Sequence, residues 1–162
     1  MAEVLLSIGA NLGDRNAALQ SVVDAMHEGF TDITVSRVFE TPPWGNLDQP
    51  AFLNAAIRAQ TTLTPEEVLA FAHQCEDRAA RVRDVRWGPR TLDVDVIAYD
   101  ELEQSDPSLT LPHPRAWERA FVLVCLADID RAFRLHGSTV GELLGRQDLS
   151  GIRVVGALEV TK

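Results

Sequence analysis

Residues 92–99 read Leu92-Asp93-Val94-Asp95-Val96-Ile97-Ala98-Tyr99, an apolar run with two interspersed carboxylates that predicts a β-strand. Because side chains alternate between the two faces of a strand, Asp93 and Asp95 are expected on one face. The opposite face is expected to carry Leu92, Val94, Val96 and Ala98. Two neighbouring carboxylates repel each other unless a cation lies between them, and oxygen ligands favour magnesium over zinc. A bare Asp-x-Asp is also the common polar face of an edge strand, so the surrounding residues must decide between the two explanations.

Arginine is concentrated just before this strand. Five of the fifteen basic residues lie close together, at Arg78, Arg81, Arg83, Arg86 and Arg90. A solvated helix face with its own ion pairs is one explanation, but only Asp77 and Asp84 are available nearby to neutralise it. A local polyanion such as triphosphate is the better interpretation, since arginine forks bind phosphate oxygens in bidentate fashion.

The composition of the whole chain limits the function classes. Its 162 residues fit one domain with a real core, and 46% hydrophobic with 24% charged residues is ordinary for a globular protein. A net charge of −9 argues against a general binder of nucleic acid or acidic membranes. Without a recognisable signal peptide or membrane-spanning run, we expect a cytoplasmic protein. Cys75 and Cys125 lack metal-ligand spacing and are interpreted as reduced packing residues, with one disulfide as the alternative.

The order of predicted elements indicates the fold class. A strand at 3–9 turns through Gly9–Asp14 into a helix with an apolar stripe of Leu19, Val22, Val23 and Met26. Strands at 33–41 and 52–60 follow, and Thr64-Pro65-Glu66-Glu67 is a capping box that begins a second helix. With the strand at 92–99, this order predicts the α+β class and a ferredoxin-like α/β sandwich with an antiparallel sheet. A C-terminal helical and strand extension is expected beyond it, with a short helix from Thr139 to Gly145 and a strand at 153–157.

The connection between the strands at 33–41 and 52–60 is long for a hairpin and contains three prolines. Prolines hold the backbone in extended or turn conformations, so this segment is expected to present fixed carbonyls and amides to a ligand. On the following strand, Phe52 and Asn54 share the face opposite the apolar residues. An aromatic ring beside an amide suits a flat heterocycle.

Three segments together resemble one known family. They read TPP at 41–43 with DQPAFLN at 48–54, RWGPRTLDVD at 86–95, and PHP at 112–114 with RAF at 119–121. In this order and spacing they resemble 6-hydroxymethyl-7,8-dihydropterin pyrophosphokinase of folate biosynthesis, and the opening IGANLGD at 8–14 extends the resemblance to nearly the full length. The resemblance implies a single pyrophosphokinase domain over 1–162 that works as a monomer on small molecules.

The activity implied by the resemblance is transfer of the terminal two phosphates of ATP, as one group, to the hydroxymethyl oxygen of the pterin, releasing AMP. Asp93 and Asp95 would hold two magnesium ions, because such transfer depends on alignment and charge neutralisation. The implied catalytic residues are Asp93, Asp95, Arg81, Arg83 and Arg90, the two loop arginines lying on a segment that resembles one closing over substrates.

The resemblance also implies the contacts of each substrate. ATP would be bound by Arg86, Trp87, Arg90, Thr110, His113 and Arg119. The pterin would lie against Thr41, Pro42, Pro43, Trp44, Phe52, Asn54 and Phe121, stacked between aromatic faces and read at its hydrogen-bonding edge. Without the motif, a histidine between prolines is more often a satisfied turn residue, and a phenylalanine more often belongs to the core.

Two other functions fit parts of the same pattern. A ferredoxin-like non-enzymatic module that binds nucleotides or RNA uses the same order of strands and helices, although the sequence lacks a basic sheet and an aromatic ribonucleoprotein motif. A two-metal phosphodiesterase could be built on Asp93 and Asp95, but such sites generally recruit more carboxylates or histidines. Pterin-dependent formation of AMP distinguishes these functions.

Overall fold

The computed structural model describes residues 1–11, 13–42, 51–82 and 92–160, without the side chains of residues 81 and 82. Its strands are β1 (Ala2–Ala10), β2 (Phe30–Val35), β3 (Arg37–Thr41), β4 (Phe52–Thr61), β5 (Asp93–Tyr99), β6 (Gln104–Asp106), β7 (Leu109–Leu111), β8 (Arg134–Leu135), β9 (Ser138–Thr139) and β10 (Arg153–Ala157). Its α-helices are α1 (Arg15–Met26), α2 (Pro65–Val82), α3 (Ala120–Ile129) and α4 (Val140–Leu144), with a 3-10 turn at Ala116–Glu118.

The main sheet is antiparallel and has the strand order β10-β3-β4-β1-β5, with β2 also paired to β4. Two helices, α1 and α2, pack on one face, and α3 and α4 pack on the other. The predicted ferredoxin-like α+β fold with a C-terminal extension is therefore confirmed. No helix in the described ranges is both long and apolar enough to span a bilayer.

Both helices of the first face begin at side-chain caps. The Asp14 carboxylate accepts the amide hydrogen of Ala17 at 3.0 Å at the start of α1. At α2 the Thr64 hydroxyl accepts the Glu67 amide hydrogen at 3.2 Å, while the Glu67 carboxylate accepts that of Thr64 at 2.9 Å. This reciprocal pair is the predicted capping box. The apolar stripe of α1 is fully buried, as predicted, at Leu19, Val22, Val23 and Met26.

The single strand predicted over 33–41 is wrong, because the structure has two strands there. β2 and β3 are separated at Ser36, whose backbone amide donates to the carbonyl oxygen of Ala56 at 2.9 Å. The Ser36 hydroxyl accepts the Ala56 amide hydrogen at 2.9 Å and so replaces a backbone acceptor of the ladder. The periodicity of the sequence does not show that the Ser36 hydroxyl takes the place of a backbone carbonyl in the ladder.

The predicted faces of 92–99 are correct only at the start of the strand. Leu92, Val94 and Val96 lie in the core beneath α1 and α2, but Ala98 lies in the core on the other face. The cause is a register shift in the β1–β5 pairing at Leu5 and Leu6, which opposes Leu6 to Val96 and Leu5 to Ala98. Ile97 joins Ala98 beneath α3, while Asp93 and Asp95 keep the predicted common face.

The extension supplies the second core. α3 and α4 bury Val122, Leu123, Leu126, Val140 and Leu143 against the sheet residues Leu5, Phe39 and Ala56. The predicted cap of α4 is present, since the Thr139 hydroxyl accepts the Glu142 amide hydrogen at 3.1 Å. The β6–β7 and β8–β9 hairpins were not predicted, because neither has a long enough apolar alternation.

The two cysteines are free and buried, as interpreted from the sequence. Cys75, on α2, packs in the core between the sheet and the helices α1 and α2, whereas Cys125 packs on the opposite side of the sheet. Burial raises the pKa of the Cys75 thiol to about 11. Burial raises the pKa of Cys125 as well, so both thiols are protonated at neutral pH.

Candidate functional site

The sheet face beneath α3 changes from apolar to polar along its length. At the polar end, the β1 register pairs Ser7 with Asp95 and Gly9 with Asp93. On the other side of β1, Gly9 pairs with Asn54 of β4. Directly opposed residues of antiparallel strands point to the same face, so Asp93, Gly9 and Asn54 form one row with Asp95 beside it. The two aspartates are half-buried, and Asn54 is buried.

The side chain of Asn54 is held in place before any ligand arrives. Its amide nitrogen donates to the Thr41 hydroxyl at 2.8 Å, and both residues are about 95% buried, with exposures of 4% and 5%. Phe52 lies two residues earlier on the same strand face and pairs in register with Thr41. Three of the predicted pterin contacts are therefore brought together at the adjoining ends of β3 and β4.

Glycine is required at position 9 by the close approach of this amide. A Cβ atom built on Gly9 would lie 2.8 Å from the Asn54 Oδ1 atom. The amide is held by Thr41, so it cannot move away without loss of a buried hydrogen bond.

We expect Gly9→Ala to lower the free energy of unfolding by about 1–3 kcal/mol, the usual cost of overpacking a buried site. Urea denaturation measures the change. The matched control is Gly156→Ala, because a Cβ atom at Gly156 meets nothing within 4 Å. Equal stability of the two variants would contradict the close packing of Asn54 against β1.

The backbone between the two aspartates is fixed from the opposite side of the sheet. The carboxylate of Glu76, on α2, accepts the amide hydrogen of Val94 at 3.0 Å. Val94 lies between Asp93 and Asp95, so this hydrogen bond holds the strand segment from which both carboxylates project. The Asp-x-Asp pattern predicts the two aspartates as site residues. It gives no indication that Glu76 fixes the backbone between them.

His113 lies beside the same strand. Its backbone amide donates to the carbonyl oxygen of Ile97 at 2.8 Å. Its ring Nδ1 accepts the amide hydrogen of Arg115 at 3.2 Å, so the proton of the neutral ring is on Nε2. These two hydrogen bonds fix the His113 imidazole and leave its Nε2–H as a donor, while its role in binding ATP stays a prediction.

Several charged side chains near His113 act on its pKa. Burial lowers the pKa of His113; the Asp95 carboxylate opposes this shift, and the guanidinium groups of Arg119 and Arg115 add to it. The Arg119 guanidinium also lies 5.9 Å from the centre of the Phe121 ring. The electrostatic influence of Asp95 and Arg119 on His113, and the position of Arg119 beside Phe121, indicate that these four residues lie in one region.

For the other predicted site residues, the structure gives only local contacts or exposure, or no description. Thr110 lies in the β6–β7 hairpin, where its hydroxyl donates to the carbonyl oxygen of Asp106 at 3.0 Å. Pro42 directly follows β3 and is exposed. The remaining positions lie outside the described residues: Pro43, Trp44, Arg83, Arg86, Trp87, Arg90 and the side chain of Arg81.

Comparison with known families gives one match over most of the chain. Residues 5–131 match the model of the 7,8-dihydro-6-hydroxymethylpterin-pyrophosphokinase family, HPPK. The matched range contains Asp93, Asp95, His113 and Phe121, whereas α4 and β10 lie beyond it.

Two curated relatives are similar over most of their length. The 2-amino-4-hydroxy-6-hydroxymethyldihydropteridine pyrophosphokinase of Methylorubrum extorquens is 44% identical over 157 residues, which cover 96% of this chain and 99% of that protein. The protein of the same name from Bacillus subtilis is 37% identical, over 92% of this chain and 87% of its own length.

Solved structures agree in fold. The wild-type HPPK-DHPS chain of Plasmodium falciparum matches 90% of this chain with a TM-score of 0.70 at 13% identity. This chain spans 41% of that solved chain, so the likeness concerns the fold of one part of it. The family match and the named curated relatives identify an enzyme and not a non-enzymatic binding module. The chain belongs to the 7,8-dihydro-6-hydroxymethylpterin-pyrophosphokinase family and is a pyrophosphokinase.

Proposed function

We propose that this chain is a magnesium-dependent ATP:hydroxymethyldihydropterin diphosphotransferase. Its family carries out pyrophosphoryl transfer in folate biosynthesis. In the proposed reaction, the hydroxymethyl oxygen of 6-hydroxymethyl-7,8-dihydropterin forms a bond to the β-phosphorus of ATP. The bond from that phosphorus to the oxygen bridging to the α-phosphate breaks, and AMP leaves with this oxygen. The hydroxyl proton is released, and the pterin diphosphate is the second product.

The observation that carries the proposal is the position of the acidic pair. Asp95 interacts with His113, which has Arg119 beside it, whereas Asp93 shares a row with Asn54. A site with cationic and imidazole donors on one side and a buried amide on the other suits two different substrates. The phosphates of ATP fit the first side, and a flat heterocycle with hydrogen-bonding edges fits the second.

The donor set fits magnesium. Asp93 and Asp95 supply hard oxygen ligands from one strand face, and magnesium is commonly held by one or two carboxylates together with substrate phosphates and water. These two residues would hold both ions. Bound magnesium neutralises phosphate charge and orients the reacting oxygens. Glu76 fixes the Val94 amide and so holds the backbone between the two carboxylates.

The residues of the chain have separate roles in this proposal. The Nε2–H of His113 and the guanidinium of Arg119 donate to phosphate oxygens, while Phe121 and Phe52 cover the faces of the pterin. Asn54 and the backbone near Thr41 bind its polar edge. The roles of Arg81, Arg83, Arg86, Trp87, Arg90, Pro43 and Trp44 remain predictions, as does a role for Thr110 in binding ATP.

One incubation tests the proposal. The protein is mixed with magnesium, ATP and 6-hydroxymethyl-7,8-dihydropterin, and AMP is measured with and without the pterin. We expect AMP to form only when the pterin is present, and to stop when magnesium is chelated. AMP formed without the pterin would indicate a hydrolase, and no AMP under any condition would reject the proposal.

The remaining proposals concern the organisation of the chain. We infer a single domain over residues 1–162 that acts as a monomer. Its site is proposed to be complete within one chain, because the proposed metal ligands Asp93 and Asp95 and the proposed pterin residue Asn54 project from the same sheet face. We propose the cytoplasm as the place of action, where ATP is supplied.

A further inference from the structure

We propose that Arg15 is a positioning residue for the pterin, acting from the face of the sheet opposite the site. The inference rests on the proposed function. Arg15 is the first residue of α1, and its guanidinium contacts the two strand ends that carry the proposed pterin residues. It acts on them through backbone and through Glu40, without contacting substrate.

The first contact is with the start of β4. The Nη1 atom of Arg15 donates to the backbone carbonyl oxygen of Ala51 at 2.7 Å. Ala51 directly precedes Phe52, the first residue of β4. A charged donor makes a stronger hydrogen bond than a neutral one, and this bond is partly shielded from water.

The second contact is with the end of β3. The same Nη1 atom lies 3.6 Å from the Glu40 Oε2 atom, and the exposed fractions of the two side chains are 30% and 21%. Glu40 directly precedes Thr41, the last residue of β3. Its other carboxylate oxygen is bound by Arg153 of β10 at 2.9 Å and 3.2 Å.

These two contacts, here called the Arg15 tie, join positions next to a cross-strand pair. Thr41 and Phe52 oppose each other in the β3–β4 register, and Thr41 also accepts the hydrogen bond from Asn54. Since side chains alternate along a strand, Glu40 lies on the face opposite Thr41. The Arg15 tie therefore keeps β3 and β4 paired at the point where the proposed pterin contacts project.

The nucleotide side of the site has a different support. Asp93 and Asp95 are on β5, which pairs with β1, and Glu76 holds their backbone. His113 is fixed by Ile97 and Arg115. The Arg15 tie joins Ala51, next to β4, to Glu40 on β3 and is not formed with β5, so its loss is expected to affect pterin binding and not ATP binding.

The test uses the variant Arg15→Met, which keeps the length of the side chain and removes its donors and charge. We expect the KM for the pterin to rise about tenfold, the effect of losing about 1.4 kcal/mol of positioning, and its dissociation constant in calorimetric titration to rise with it. The KM for ATP should change less than twofold. Arg15→Lys, which keeps the charge and one donor, is expected to restore part of the pterin affinity.

Two controls separate positioning from general damage. Arg153→Met removes the other partner of Glu40 but leaves the bond to Ala51, and it should raise the pterin KM less than threefold because Arg153 is 71% exposed. Arg37→Met removes a different ion pair of β3, the 2.9 Å pair with Asp128, and should change neither KM.

The outcomes distinguish this inference from the proposed function. If the wild-type protein forms no pterin-dependent AMP, the proposed function fails and the inference fails with it. If wild type is active and Arg15→Met leaves the pterin KM unchanged, or raises both KM values equally, only the role of Arg15 is overturned. An equal pterin effect in Arg153→Met would assign the effect to Glu40 alone and also overturn the Arg15 tie. Should Arg15→Met fail to fold, an unchanged pterin KM in Arg15→Lys would overturn the inference in the same way.

Discussion

Asp95→Asn is expected to lower kcat by about 10³-fold, since a metal-held phosphoryl transfer loses several kcal/mol of charge stabilisation when a carboxylate ligand is removed. Asp95 is half-buried, pairs in register with Ser7 and acts on the pKa of His113. Asparagine has the same shape, so the sheet should remain intact. Steady-state turnover at saturating substrates and magnesium measures the effect.

The control for this variant is Asp100→Asn, just beyond the end of the same strand. Asp100 accepts the amide hydrogen of Glu3 at 2.7 Å, and an asparagine oxygen can accept it equally well. Its φ of 49° is also one that asparagine tolerates. We expect the control to retain wild-type turnover. Near-normal turnover in Asp95→Asn, at any magnesium concentration, would remove Asp95 from the mechanism.

Phe121→Ala is expected to weaken pterin binding by about 1–3 kcal/mol, or roughly 5- to 150-fold, if the ring stacks on the substrate. Phe121 is half-buried at the first turn of α3, with Arg119 beside its ring. Calorimetric titration of the pterin, with a non-hydrolysable ATP analogue and magnesium present, measures the change. The affinity for the analogue itself should stay within about twofold.

A second substitution separates stacking from packing. Phe121 also contacts the core beneath α3, so its truncation removes packing as well as the ring face. Phe121→Leu restores much of the apolar volume without a flat aromatic surface. We expect Phe121→Leu to bind the pterin almost as weakly as Phe121→Ala while unfolding closer to the wild-type temperature. Wild-type pterin affinity in Phe121→Leu would mean that Phe121 is a packing residue only.

The parts of the fold that the sequence predicts are those set by local physics. The Thr64 to Glu67 capping box, the stripe of α1 and the shared face of Asp93 and Asp95 depend on neighbouring residues only. The split at Ser36 depends on how that residue bonds to β4, and the transfer of Ala98 to the second core depends on the register between β1 and β5. Periodicity specifies neither.

The same distinction applies to the site. A motif predicts residues that contact substrates, because their chemistry is visible in their type and spacing. Glu76 and Arg15 bind backbone atoms far away in sequence, at Val94 and Ala51. The residues that neighbour Glu76 and Arg15 in the sequence do not indicate those partners. The same holds for Gly9, because a side chain at this position is excluded by Asn54, which lies on another strand.

The common face shared by the polar end of the sheet and the second core has a consequence for how the enzyme responds to heat. Phe121 lies in the first turn of α3, which buries Val122, Leu123 and Leu126. Partial detachment of that helix would remove a substrate-binding ring at the same step as it exposes core amides, a form of local opening that precedes global unfolding. Hydrogen exchange of the α3 amides and loss of pterin affinity should therefore follow the same temperature dependence. The upper working temperature of the enzyme should be the temperature at which α3 detaches, which lies below that of global unfolding.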